Sequence, residues 1–84
     1  MKVKVFSIFD EKARIFSNPF FMPHAGEALR SFGDLVQDKS SRIAKHPEDY
    51  KLYHLAEYDD CSGSFVSLNV PVFLANATEF VVEE

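Results

Sequence analysis

The sequence predicts a small two-layer α+β domain, with a mainly antiparallel sheet of three to five strands and one amphipathic helix packed on it. Several stretches alternate or cluster apolar residues in the manner of strands. The window 25–38 instead repeats its apolar residues at the helical period. With only 84 residues there is room for a single core, so residues 1–84 are read as one domain.

Residues 2–9 read as the first strand, with Val3, Val5 and Phe9 on one face and Lys2, Lys4, Phe6 and Ile8 on the other. Apolar residues on both faces predict a central position. Asp10-Glu11-Lys12 breaks it, and 13–17 is a short apolar return. In Asn18-Pro19-Phe20-Phe21-Met22-Pro23, two prolines bracket three bulky side chains, which predicts an extended connector. Successive side chains of an extended chain alternate faces, so at least one of the three is exposed or folds over an edge. Over 25–38, Ala25, Ala28, Leu29, Phe32, Leu35 and Val36 form one apolar stripe. Glu27 suits the positive end of that helix, and Gly33 inside it marks a close approach by another backbone. Residues 39–49 are polar and irregular, ending in a tight or single helical turn at Pro47. Residues 50–58 read as a strand with Tyr50, Leu52, Ala56 and Tyr58 on one face, and Asp59–Gly63 as a hairpin loop. Residues 64–70 return as a strand ended by Pro71. A short helical turn is expected over 72–77 and an edge strand over Phe80-Val81-Val82.

Hydrophobic residues make up 46% of the chain and aromatic ones 14%, enough to exclude intrinsic disorder. A domain this short buries only about 60–65% of the surface its unfolded chain exposes. The thin core makes homodimerisation or docking on a partner an expectation. The formal net charge of −4 argues against a protein that coats nucleic acid through bulk charge. It leaves room for a local basic face, because eight of the basic residues precede residue 46. A single cysteine, Cys61, excludes an internal disulfide and a four-cysteine zinc site and fits a reducing compartment. No apolar run is long enough for a membrane helix, and the N-terminal segment does not read as a signal peptide, so no membrane association is expected.

No catalytic, metal or cofactor site is predicted. His24, His46 and His54 lack any paired metal-binding spacing and read as structural or surface residues. Cys61 lies in an acidic turn, surroundings that disfavour a nucleophilic thiolate. Glu57, Asp59 and Asp60 lack the spacing of a calcium loop and read as a solvated turn. Three glycines leave no phosphate-cradling loop. The one positive signal is weak: cations that track a backbone and aromatic rings that stack under bases together hold single-stranded nucleic acid. The candidate contact residues for DNA or a partner are Lys2, Lys4, Arg14, Phe20, Phe21, Arg30, Arg42, Lys45 and His46, with Phe16 supplying a further ring. On composition alone the plainer reading puts the rings in the core and the lysines on a solvated face. The Phe20-Phe21-Met22 run reads either as core or as an exposed interaction knob.

Three segments carry a family resemblance: Pro19-Phe20-Phe21-Met22-Pro23 with Gly26 and Arg30; Lys45-His46-Pro47-Glu48-Asp49-Tyr50; and Leu55-Ala56-Glu57-Tyr58-Asp59 with Gly63. On these, from Met1 to about Leu74, the chain resembles the small nonstructural protein of the gokushoviruses, microviruses of Chlamydia and other intracellular or parasitic bacteria. The resemblance implies a counterpart of the microvirus C protein. That protein joins the replication complex on replicative-form DNA and switches synthesis from duplex copies to single strands packaged into the procapsid. The implied partners are the phage replication initiator complex, viral DNA and the procapsid, in the cytoplasm of the bacterial host. The family has no catalytic residues to carry over, so a non-enzymatic role is expected. The net charge departs from a plain DNA-coating protein. A sequence-independent single-stranded DNA-binding protein and an acidic, host-factor-binding inhibitor are the competing readings.

Overall fold

The computed structural model describes residues 1–82 and has the expected α+β architecture: one antiparallel sheet with one main helix against it. The strands are β1 (Lys2–Asp10), β2 (Ile15–Phe16), β3 (Phe20–Met22), β4 (Tyr50–Asp59) and β5 (Ser64–Asn76). The helices are α1 (Ala25–Gln37) and the one-turn α2 (Arg42–Lys45), with 3₁₀ turns at Pro47–Asp49 and Ala77–Phe80. β1 is central, as its two-sided apolar pattern requires: β4 lies on one side, and β2 and β3 share the other. β5 pairs with the outer side of β4.

The join between β2 and β3 explains how Asn18-Pro19 can interrupt an edge without orphaning β1. Ser17 Oγ accepts the Ile8 N–H at 3.0 Å and bonds Ser7 Oγ at 3.1 Å, replacing a ladder rung with a side chain. The extended connector predicted over 18–23 is therefore partly a strand, Phe20–Met22 on the β1 edge. The irregular 39–49 segment contains α2, capped by Ser41, whose hydroxyl accepts the Ala44 N–H at 3.0 Å.

The core lies between the sheet and α1. Phe6, Ile8, Tyr50 and Leu52 meet Ala28, Phe32 and Val36, with Ala77 closing one end. Each large side chain so buried contributes about 1.5–3 kcal/mol. Gly33 is a point of close approach, by a side chain and not by a backbone: a Cβ there would lie 2.9 Å from the Phe80 ring, which packs edge-on to Phe32 at 5.8 Å.

Two expectations fail at β5. The strand runs through Pro71 to Asn76, and the helical turn follows at Ala77–Phe80 instead of occupying 72–77. Proline is tolerated because β5 is an edge strand and because Leu68–Pro71 bulges out of the ladder, opposite Leu55 alone. Asn76 and Glu79 form a capping box that starts the turn. Val81 and Val82 add no strand.

A third correction concerns faces. Phe6 pairs with His54, but Val5 pairs with Ala56, so Leu55 is an extra residue in β4. One extra residue reverses the side-chain alternation beyond it. Tyr50, Leu52 and His54 face α1, whereas Ala56 and Tyr58 face the other way, opposite Val5 and Val3. His54 secures the irregularity by donating from Nε2 to the Ala56 carbonyl at 3.0 Å.

Candidate nucleic-acid interface

No helix among the described residues covers the second face of the sheet, and the register places an aromatic surface there. Directly paired residues share a face. Phe9 pairs with Phe16, Tyr53 with Phe73, Tyr58 with Phe65, and Phe21 with Val5. Seven rings therefore line one side in two groups. Phe9 lies 4.7 Å from Phe16 and 6.1 Å from Tyr53, and Tyr53 lies 5.9 Å from Phe73. At the other end, Tyr58 lies 4.7 Å from Phe65 and 5.8 Å from Phe21. Between the groups are the smaller side chains of Val5, Ser7 and Ala56, all buried.

The rings are not enclosed. Phe16 is 40% exposed, Phe21 46%, Phe65 59% and Phe73 47%. The main core lies across the sheet; on this side the rings cover only Val5, Ser7 and Ala56 and leave much of their own surface open. Contiguous exposed apolar surface of this kind marks a contact site. Every base presents a π-face to such rings, whatever its identity.

At one end, Arg42, Lys45 and His46, on α2 and the turn after it, line a hollow with Ser40. Lys12, from the β1–β2 turn, joins Arg42 and His46 across a second hollow, which Asp10, Glu48 and Asp49 also line. A shallow apolar depression of about 350 Å³ adjoins this corner on the α1 side of the sheet, lined by Ile8, Ile15, Tyr50 and Ile43 with Arg42, and it meets the aromatic face only at the Phe16 ring. Lys51 projects onto the open face opposite Phe9 and is paired with Glu11.

The residues singled out from sequence fall into three places. Arg42, Lys45 and His46 form the basic corner, and Arg14, held at a left-handed φ of 60°, lies at the tip of the neighbouring turn. Phe21 belongs to the aromatic face, while Phe20 turns inward and stacks on Phe6 at 5.8 Å. Lys2 and Lys4 pair with Asp59 and Glu57 at the far end of the sheet, and Arg30 is exposed on α1. The structure does not bring these last three to the basic corner. Sequence reading passed over Phe9, Tyr53, Tyr58, Phe65 and Phe73 as site residues. The pairing of their strands identifies them, and the expected strand end at Pro71 hid Phe73.

Two exposed clusters, His46-Glu48-Asp49 and Asp59-Asp60-Cys61, each bring three potential ligand atoms within 4.8 Å of one another. Local bonds account for the second: Asp59 accepts the Cys61 N–H at 2.9 Å. Exposed acidic groups are often arranged in this way with no ion.

A family model described as "Phage ORF5 protein" matches residues 3–80. No curated protein and no solved structure matches the chain.

Proposed function

Starting from the fact that this chain belongs to the phage ORF5 protein family, we propose that it is a non-enzymatic binding protein of phage DNA replication that holds single-stranded viral DNA against the open face of its sheet. The carrying observation is that face: seven rings in two groups, with Arg42 and Lys45 lying beyond its Phe16 edge. Rings accept unpaired bases, which a duplex keeps stacked inside, so the surface favours single strands. The resemblance to the gokushovirus nonstructural protein supplies the setting. Holding emergent single strands in the host cytoplasm, beside the initiator complex, would turn synthesis from duplex copying toward strands destined for the procapsid. The net charge of −4 fits a role in which few phosphates are contacted.

Titration of a labelled oligothymidylate, against the same length of duplex, tests the reading. Binding of the single strand is expected to exceed that of the duplex. The salt dependence should be shallow, since each phosphate contact adds about 0.7 to the log–log slope. Absence of binding at low salt would remove the DNA reading. Capture of the initiator protein without DNA would then assign the depression beside Arg42 to a protein partner.

A further inference from the structure

We infer that two copies of this chain join edge to edge through β5 in antiparallel register. Among the described residues, β5 has one neighbour, β4, so its outer edge is open over Ser64–Asn76. An open edge is normally guarded by charge, proline or a bulge. Of the three long strands, β1 carries Lys2, Lys4 and Asp10, and β4 carries Lys51, Glu57 and Asp59, whereas β5 carries no charged residue. Its main guard is in the middle, where Leu68–Pro71 bulges and Pro71 has no N–H. Outside that bulge, Ser64–Ser67 stay in the ladder, as do Val72, Phe73, Ala75 and Asn76, with Leu74 a single extra residue between them.

These features favour a second copy as the occupant. The chain is net negative, so self-association requires a surface free of like charge, and β5 is that surface. The residues held in the ladder on either side of the wide bulge are equal in number, four and four. In an antiparallel pair, each run therefore meets the other run of the second copy, and the bulges meet at a two-fold axis near Val70. Such a contact is self-complementary and closes at two copies. It covers apolar side chains that otherwise stand in water: Val66 at 61%, Val70 at 67% and Val72 at 45% exposure. A two-fold axis between antiparallel edge strands runs perpendicular to the sheet, so both aromatic faces end on the same side. Where those faces hold DNA (a consequence resting on the proposed function), the dimer offers one continuous surface with Phe65 and Phe73 at its seam.

Sedimentation velocity of the full chain in DNA-free solution tests this apart from any DNA binding. A dimer is expected, and Val70→Lys, which sets two cations beside the axis, is expected to raise its dissociation constant at least ~tenfold with an unchanged circular dichroism spectrum. Val66→Lys provides the same reading should the first variant misfold, because its new cation faces Glu57 across the ladder. A monomer at all concentrations overturns the inference, as does a dimer that survives both substitutions. A dimer dissolved instead by Phe16→Ser, on the aromatic face but separated from β5 by β1 and β4, also overturns it and assigns self-association to packing of the two open faces.

Discussion

Single side chains divide into those that close the core and those that wait for a ligand. Gly33 is of the first kind, since the Phe80 ring occupies the space a Cβ would take. Gly33→Ala gains up to about 1 kcal/mol of helix propensity but overpacks the α1–Phe80 contact at about 1–3 kcal/mol. A net loss of stability is expected, read as a lower urea midpoint; a gain would mean that Phe80 moves aside freely. Phe73 is of the second kind. Half open on the sheet, it touches only Tyr53 among the rings. Phe73→Ala is expected to leave the urea midpoint nearly unchanged. Loss of one stacked base costs about 1–3 kcal/mol, so oligothymidylate affinity should fall roughly 5- to 150-fold. Equal affinity would remove Phe73 from the interface.

At the scale of elements, two irregularities shape the sheet. Leu55 inserts one residue into β4 and moves Tyr58 from the helix side to the open side, which is why the second aromatic group exists. Ser17 lets the β1 edge accept two short strands separated by Asn18-Pro19. Ser17→Ala removes the acceptor of the Ile8 N–H and one partner of the buried Ser7 hydroxyl, which keeps its 2.8 Å bond to the Ser17 carbonyl. An unsatisfied buried group costs about 1–3 kcal/mol. The expected outcome is a drop of that size, with the Ile8 amide exchanging hydrogen faster. Unchanged protection at Ile8 would show that water takes the hydroxyl's place.

For the whole molecule, the extents of 46 × 23 × 18 Å describe a long sheet that one helix covers only in part. Its stability should be flat across neutral pH. The Ser40 hydroxyl on Asp38, the Cys61 N–H on Asp59 and the Met1 ammonium on Asp60 hold all three carboxyls below the ordinary range. A lowered carboxyl contributes fully above about pH 4 and loses that contribution as pH falls through its folded value. All three are solvent-screened, so the loss is gradual and small. Burial, reinforced by the Asp10 charge, raises the Tyr50 phenol. Its contribution is therefore intact below about pH 10 and fades above. The Asp60 side chain holds the Met1 ammonium above its ordinary 8.0, so its small, screened contribution fades as pH rises above about 8. Urea midpoints measured against pH should hold level from about pH 4 to about pH 8 and fall outside that range. A marked drop already at about pH 5 or pH 7 would mean that other groups dominate.

Local pattern alone determined the helix at 25–38, the central place of the first strand, the β4–β5 hairpin and the two-layer class, because each depends on apolar spacing within one segment. It also determined that Phe20, Phe21 and Met22 could not all be buried, and Phe21 is the one left outside. The tertiary structure decided which rings share a face. That depends on register and on single inserted residues such as Leu55, whose effect is invisible until the partner strand is known. It decided too that Pro71 does not end β5, since a missing N–H is harmless only where no neighbouring strand waits to receive it. The aromatic face therefore belongs to the pairing of distant strands, and the spacing of residues along any one of them does not disclose it.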